Sequence, residues 1–109
     1  MDRKRALGAL AALSQDMRLD VFRLLVQTGP EGLCAGEIAQ RLAVRQNTLS
    51  TNLGVLARAG LLRSAREGRS IRYFADLEGM RRLLGFLLED CCGGRPETCR
   101  PLLKELACA

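Results

Sequence analysis

Between Gln46 and Ala75 the apolar residues change their spacing, and that switch constrains the fold more than any other feature of the chain. Leu49, Leu53 and Leu56 recur at i, i+4 and i+7, the mark of a helix with one buried stripe. Gly60 follows them, where a C-terminal glycine can end the helix in a left-handed turn. Beyond it, Leu61 to Arg66 and Ile71 to Ala75 read as two strands joined by a turn at Glu67-Gly68-Arg69-Ser70. The pattern predicts a helix over about 46–59 and then a two-stranded hairpin with a basic tip.

The flanking segments are helical in period. Ala6-Leu7, Leu10-Ala11 and Leu13 belong to a first helix, and Met17, Val21, Phe22, Leu24 and Leu25 to a second, from about Asp16 to Thr28. Gly29-Pro30-Glu31-Gly32 stops the second helix. A short third helix, roughly Ala35 to Leu42, buries Ile38 and Leu42. A fifth, about Leu77 to Cys91, carries Met80, Leu83, Leu84, Leu87 and Leu88 and breaks at Gly93-Gly94, before a short last helix around Leu102 to Leu106. At 109 residues the chain is expected to be a single domain, 1–109, mainly α with a small β-hairpin, an α+β arrangement. The first and fifth helices are more apolar than a monomer this small needs. They predict a homodimer built through these two helices.

Residues 35 to 75 therefore have the spacing of a helix-turn-helix followed by a wing. The leucine stripe leaves the other side of the fourth helix polar, with Gln46, Asn47, Thr48, Ser50, Thr51 and Asn52. Solvated helix faces are usually rich in Glu and Lys, yet neither occurs between Gln46 and Ala59. Short hydrogen-bonding side chains suit the major groove of double-stranded DNA, where Asn and Gln pair with adenine and Ser and Thr reach bases or phosphates. Among the hairpin arginines, Arg66 and Arg69 are the expected phosphate or minor-groove contacts. Charge agrees: 17 Lys and Arg against 12 Asp and Glu give +5 and a pI near 9.3, a balance suited to an anionic polymer.

Composition also excludes. The chain has five cysteines and no histidine. Ser–His and Cys–His nucleophiles and mixed His/carboxylate zinc sites are ruled out, so neither an enzyme nor an organic cofactor is expected. No run approaches the roughly 18 apolar residues of a membrane span. The basic-then-apolar start reads as an amphipathic helix rather than an export signal, which points to the cytoplasm and away from membranes. In that setting cysteines read as metal-binding or redox groups before they read as disulfides.

Cys91-Cys92-Gly93-Gly94-Arg95-Pro96-Glu97-Thr98-Cys99 concentrates that chemistry. Adjacent residues on an intact helix point about 100° apart, so Cys91 and Cys92 converge on one atom only where the helix frays. The glycine pair permits this, and a turn at Pro96 can bring Cys99 to join them. Three thiolates suit a soft ion. Trivalent arsenic or antimony takes three sulfurs in a pyramid, whereas zinc normally wants a fourth ligand. Residues 91–109 thus form a cysteine-containing sensing segment, with arsenite, or else antimonite, as the expected inducer. The alternative is a thiol-redox or persulfide sensor on the same fold. Cys34 stands at the expected N-cap of the third helix with Glu37 three residues on, a capping-box spacing, and reads as a partly buried small residue. Cys108 reads as a bystander or a fourth sulfur.

The run Ala35 to Tyr73 resembles the ArsR/SmtB family of metal-responsive repressors. The likeness is carried by Thr48-Leu49-Ser50-Thr51-Asn52-Leu53, Leu56, Ala59-Gly60-Leu61 and Glu67-Gly68-Arg69-Ser70-Ile71-Arg72-Tyr73. It implies a winged-helix repressor that dimerises through its first and fifth helices. Some arsenite-responsive members carry an adjacent cysteine pair plus a third just beyond the fifth helix, and residues 91–99 are similar. Asn52 stands where a histidine is common in the family, and Arg45 where a serine usually caps the reading helix, leaving Asn47 as a substitute cap. Cys34 matches the first cysteine of a third-helix arsenite site found in relatives, but the next position needed there is Gly36.

Overall fold

The computed structural model describes residues 1–88. They form five helices and three short strands: α1 (Arg3–Leu13), α2 (Asp16–Thr28), β1 (Leu33–Cys34), α3 (Ala35–Leu42), α4 (Gln46–Arg58), β2 (Leu62–Glu67), β3 (Ser70–Ala75) and α5 (Leu77–Leu88). This is the winged helix-turn-helix the sequence predicts. The second and third helices keep their expected bounds, α4 stops one residue early, and β2 is shifted by one. The expected extension of α5 to Cys91, the last helix near 102–106 and the segment 91–109 lie outside the described residues.

Three of the five described helices, α1, α2 and α5, start at a side-chain cap. Asp2 Oδ1 accepts the Arg5 N–H at 2.8 Å, Gln15 Oε1 the Arg18 N–H at 2.9 Å, and Asp76 Oδ1 the Gly79 N–H at 3.0 Å. On α1 the buried residues are Ala6, Ala9 and Ala12, small enough for α2, α4 and α5 to approach closely. The rest of the core comes from Val21, Phe22 and Leu25 of α2, Ile38 of α3, Leu49, Leu53 and Leu56 of α4, Leu61 and Leu62 at the start of the wing, and Leu83 of α5. At about 25 cal/mol per Å² of buried apolar surface, each large side chain in this cluster contributes roughly 1.5–3 kcal/mol.

The sheet has the order β1-β3-β2 and is antiparallel throughout. Residues Leu62 to Glu67 face Ala75 to Ser70 in unbroken register. Gly68 opens the two-residue loop at φ +62°, the conformation a tight hairpin demands at its first position. The third strand was not expected. Leu33 pairs with Tyr73 and Cys34 with Arg72, and two residues are too few to show a period of two. Gly32, at φ +64°, turns the chain into that pairing. A Cβ there would collide with the Tyr73 carbonyl and the Phe74 ring.

Candidate nucleic-acid interface

α3 and α4 are joined by a tight turn. Ala43 closes α3 in the left-handed conformation, φ 54°, and Val44 N–H donates to the Ala39 carbonyl at 3.0 Å. α4 ends in the same manner at Gly60, φ +80°, with Gly60 N–H on Ala57 O and Leu61 N–H on Leu56 O, both at 3.0 Å. These two bonds form a Schellman closure, and the chain turns from it straight into the wing. Gly79 of α5 is buried against this corner, where a Cβ would run into the Gly60 carbonyl oxygen. The end of α4 therefore carries the start of α5.

On α4 the buried stripe is Leu49, Leu53 and Leu56, and Gln46, Asn47, Thr48, Ser50 and Thr51 are exposed, as the alternation of faces predicts. The helix begins after Arg45, whose side chain makes no capping bond. Asn47 Oδ1 accepts the Thr48 N–H at 2.8 Å, a partial substitute, and the Leu49 N–H is the first to reach a backbone carbonyl, Arg45 O at 3.0 Å. The N–H groups of the first turn are otherwise directed outward at the positive end of the helix dipole, an arrangement suited to a phosphate oxygen.

Asn52 departs from the groove-facing position expected of it. It is 8% exposed, and its amide is consumed internally. Oδ1 accepts from Arg18 Nη1 at 3.0 Å, while Nδ2 donates to Thr48 O at 3.0 Å and faces Met17 Sδ at 3.1 Å. The Arg18 Nε in turn donates to Ala12 O at 2.6 Å. Three residues after Leu49 and four before Leu56, Asn52 lies on the shoulder of the apolar stripe, and α2 covers it. It belongs to a polar strut joining α1, α2 and α4. Neither Arg18 nor Met17 stood out in the sequence for this role. The one available signal was the placement of Asn52 on the leucine side of the helix.

The wing separates its four arginines. Arg63 lies over the Phe74 ring, 5.4 Å from its centroid. Arg72 pairs with Glu67 at 3.0 Å and donates to the Glu31 and Gly32 carbonyls. That bond to Glu67 raises the Arg72 pKa further, so it stays charged throughout. Arg66 and Arg69 are exposed and enter no ion pair among the described residues. Glu67 is thus turned toward Arg72 rather than toward these two, and the hairpin tip keeps its positive field.

Cys34 is the N-cap of α3, in extended conformation, and its N–H donates to Glu37 Oε1 at 3.0 Å. This bond holds the Glu37 carboxyl below its ordinary pKa. Cys34 is half-buried and, among the described residues, no three Cys, Asp or Glu side chains come together as metal ligands. Cys91, Cys92 and Cys99 lie outside the described residues.

An exposed polar helix, an uncapped N-terminus and a basic hairpin beside it define a winged helix-turn-helix that reads DNA. The comparisons agree. A family described as "Helix-turn-helix domain" matches residues 13–65. An uncharacterised HTH-type transcriptional regulator, YbzH of Bacillus subtilis, is 31% identical over 70% of this chain and 88% of its own length. Among solved structures, an ArsR-like transcriptional regulator from Rhodococcus sp. RHA1 superposes with a TM-score of 0.70 at 27% identity, over 95% of this chain and 93% of that one. The AntR antimony-specific transcriptional repressor superposes at 0.60 with 30% identity, over 82% and 80%. The chain belongs to the ArsR family of winged-helix, DNA-binding transcriptional regulators, proteins that are not enzymes. No helix among the described residues is long and apolar enough to cross a membrane.

Proposed function

We propose that this regulator is a homodimeric repressor, released from its operator when trivalent arsenic or antimony is bound by Cys91, Cys92 and Cys99. The observation that carries the reading is the course of α5. It starts pressed on the Gly60 carbonyl at the end of the reading helix α4 and runs to Leu88, three residues before the cysteine pair. A change at the sulfurs therefore acts on the element that α4 supports.

The donor set fits the guest. Arsenous acid exchanges its three hydroxyls for three thiols, releasing three waters, and needs no redox partner. The chain has no histidine to compete as a ligand. The likeness to the antimony-specific repressor supports the same class of inducer. For the dimer, Leu7 and Leu10 of α1 and Leu84 and Leu87 of α5 are exposed, an apolar surface suited to a second copy. On DNA, Gln46, Asn47, Thr48, Ser50 and Thr51 face the groove while Arg66 and Arg69 hold the backbone, and Asn52 fixes the pose from inside.

The test is an arsenite titration of the protein on a duplex selected for binding, under strictly reducing conditions, for wild type and each single Cys91→Ser, Cys92→Ser and Cys99→Ser variant. Wild type should let go at one arsenite per chain, and each variant should need far more. A Cys99→Ser protein with the full response overturns the three-sulfur site. Release only by oxidant or polysulfide transfers the segment to thiol-redox sensing.

A further inference from the structure

A cleft lies at the junction of α1, the end of α4 and α5. Its volume is about 410 Å³, and its walls include Arg5, Arg58 and Arg82 with the bare backbone of Gly8, Gly60 and Gly79. Three arginines from three helices are among its lining residues, and among the described residues no Asp or Glu is. Two acids stand beside the cleft: Asp76, whose carboxyl carbon would lie 3.5 Å from a Cβ at Gly79, and Glu78 of α5. Glu78 is bonded to Arg81 at 2.9 Å and stands 3.5 Å from Arg82, which leaves most of the Arg82 donor fork available. A Cβ added at Gly8 or at Gly60 would meet no atom within 4 Å, so the glycines leave room rather than closing it.

Guanidinium groups gathered from separate elements recognise oxyanions by paired N–H donors, and a volume in this range holds a small molecule rather than a bare ion. We infer that this cleft binds a small phosphate-bearing anion, independently of the sulfur chemistry near residue 91. None of its residues belongs to the groove-facing row of α4 or to the wing tip. A ligand seated there would touch α1, α4 and α5 together.

The experiment is calorimetric titration of the full chain with inorganic pyrophosphate and with inorganic phosphate at constant ionic strength. It compares wild type, the double variant Arg5→Gln/Arg82→Gln, Gly8→Leu and Arg23→Gln. Arg23 is exposed on α2 and away from the cleft, so it serves as the charge control. Gly8→Leu fills the cleft while replacing a helical glycine with a better helix former, so its folding should not suffer. Saturable binding of one pyrophosphate per chain is expected, weakened at least about tenfold in the double variant, as loss of charge-assisted bonds implies. Gly8→Leu should be weakened comparably and Arg23→Gln left near wild type. Three results would overturn the inference: no saturable binding, equal weakening in Arg23→Gln, or weaker duplex binding by the double variant with no pyrophosphate binding by wild type. The last would give the cleft to the DNA backbone.

Discussion

α3 and α4 stand side by side in one motif, yet they are fixed in opposite ways. α3 is tied off locally: Glu37 takes the N–H of its own N-cap, Cys34, and Ala43 closes its last turn. α4 has no side-chain cap from Arg45 and is positioned by its neighbours, through the Arg18–Asn52 strut at its flank and α5 on its terminal carbonyl. The supporting helix is self-sufficient. The reading helix leaves its N-terminal donors and outer face unspent, and its orientation follows whatever moves α1, α2 or α5. The sharpest way to break the contrast is Gly79→Ala. The new methyl group would strike backbone rather than a flexible side chain, so α5 must lift from the end of α4. A loss of about 3 kcal/mol is expected in chemical denaturation, with weakened DNA binding.

Next in size is Asn52→Ala. It deprives the Arg18 guanidinium of a partly buried acceptor and should cost about 2 kcal/mol. A groove-reading asparagine would instead change base preference with little loss of stability, so measuring both quantities separates the two roles. Gly60→Ala should cost about 1 kcal/mol. The space around the new methyl group is open, and the loss comes from the left-handed backbone alone.

Strengthening α4 locally is the converse test. Arg45→Ser would give the helix the side-chain acceptor it lacks and should raise stability by about 1 kcal/mol. The same change commits an N-terminal donor and removes an exposed cation, so affinity for DNA should fall as stability rises. If both rise together, the open N-terminus has no part in binding.

What could be read from the sequence followed signal strength. The leucine stripe of α4, the stop at Gly60 and the period change after it are each repeated or punctuated by glycine, and they placed the reading helix and wing within a residue. Ser50 and Thr51 were legible as outward-facing because the stripe fixes its opposite side. Asn52 was not, because residue type suggested DNA while position suggested the core, and position won once α2 covered it. β1 was hidden by its length, two residues whose pairing depends on Gly32 and on a strand some forty residues away. The arginines of the wing look alike in sequence. Only the register that sets Arg72 beside Glu67 and Arg63 over Phe74 leaves Arg66 and Arg69 for a partner.

The smallest effect concerns the turn of the motif itself. Ala43 and Gly60 do the same work at the ends of α3 and α4, both at positive φ, but only Gly60 carries no Cβ penalty. An alanine in this conformation is disfavoured by about 1–2 kcal/mol. A glycine gives back about 0.5–1 kcal/mol of that through the extra freedom it brings to the unfolded chain. Ala43→Gly should therefore stabilise the protein by about 0.5 kcal/mol, opposite in sign to Gly60→Ala, with DNA affinity unchanged because Ala43 lies outside both the strut and the exposed row of α4. A gain in stability accompanied by a loss of affinity would mean that the rigidity of this alanine, and not its neighbours alone, aims the reading helix.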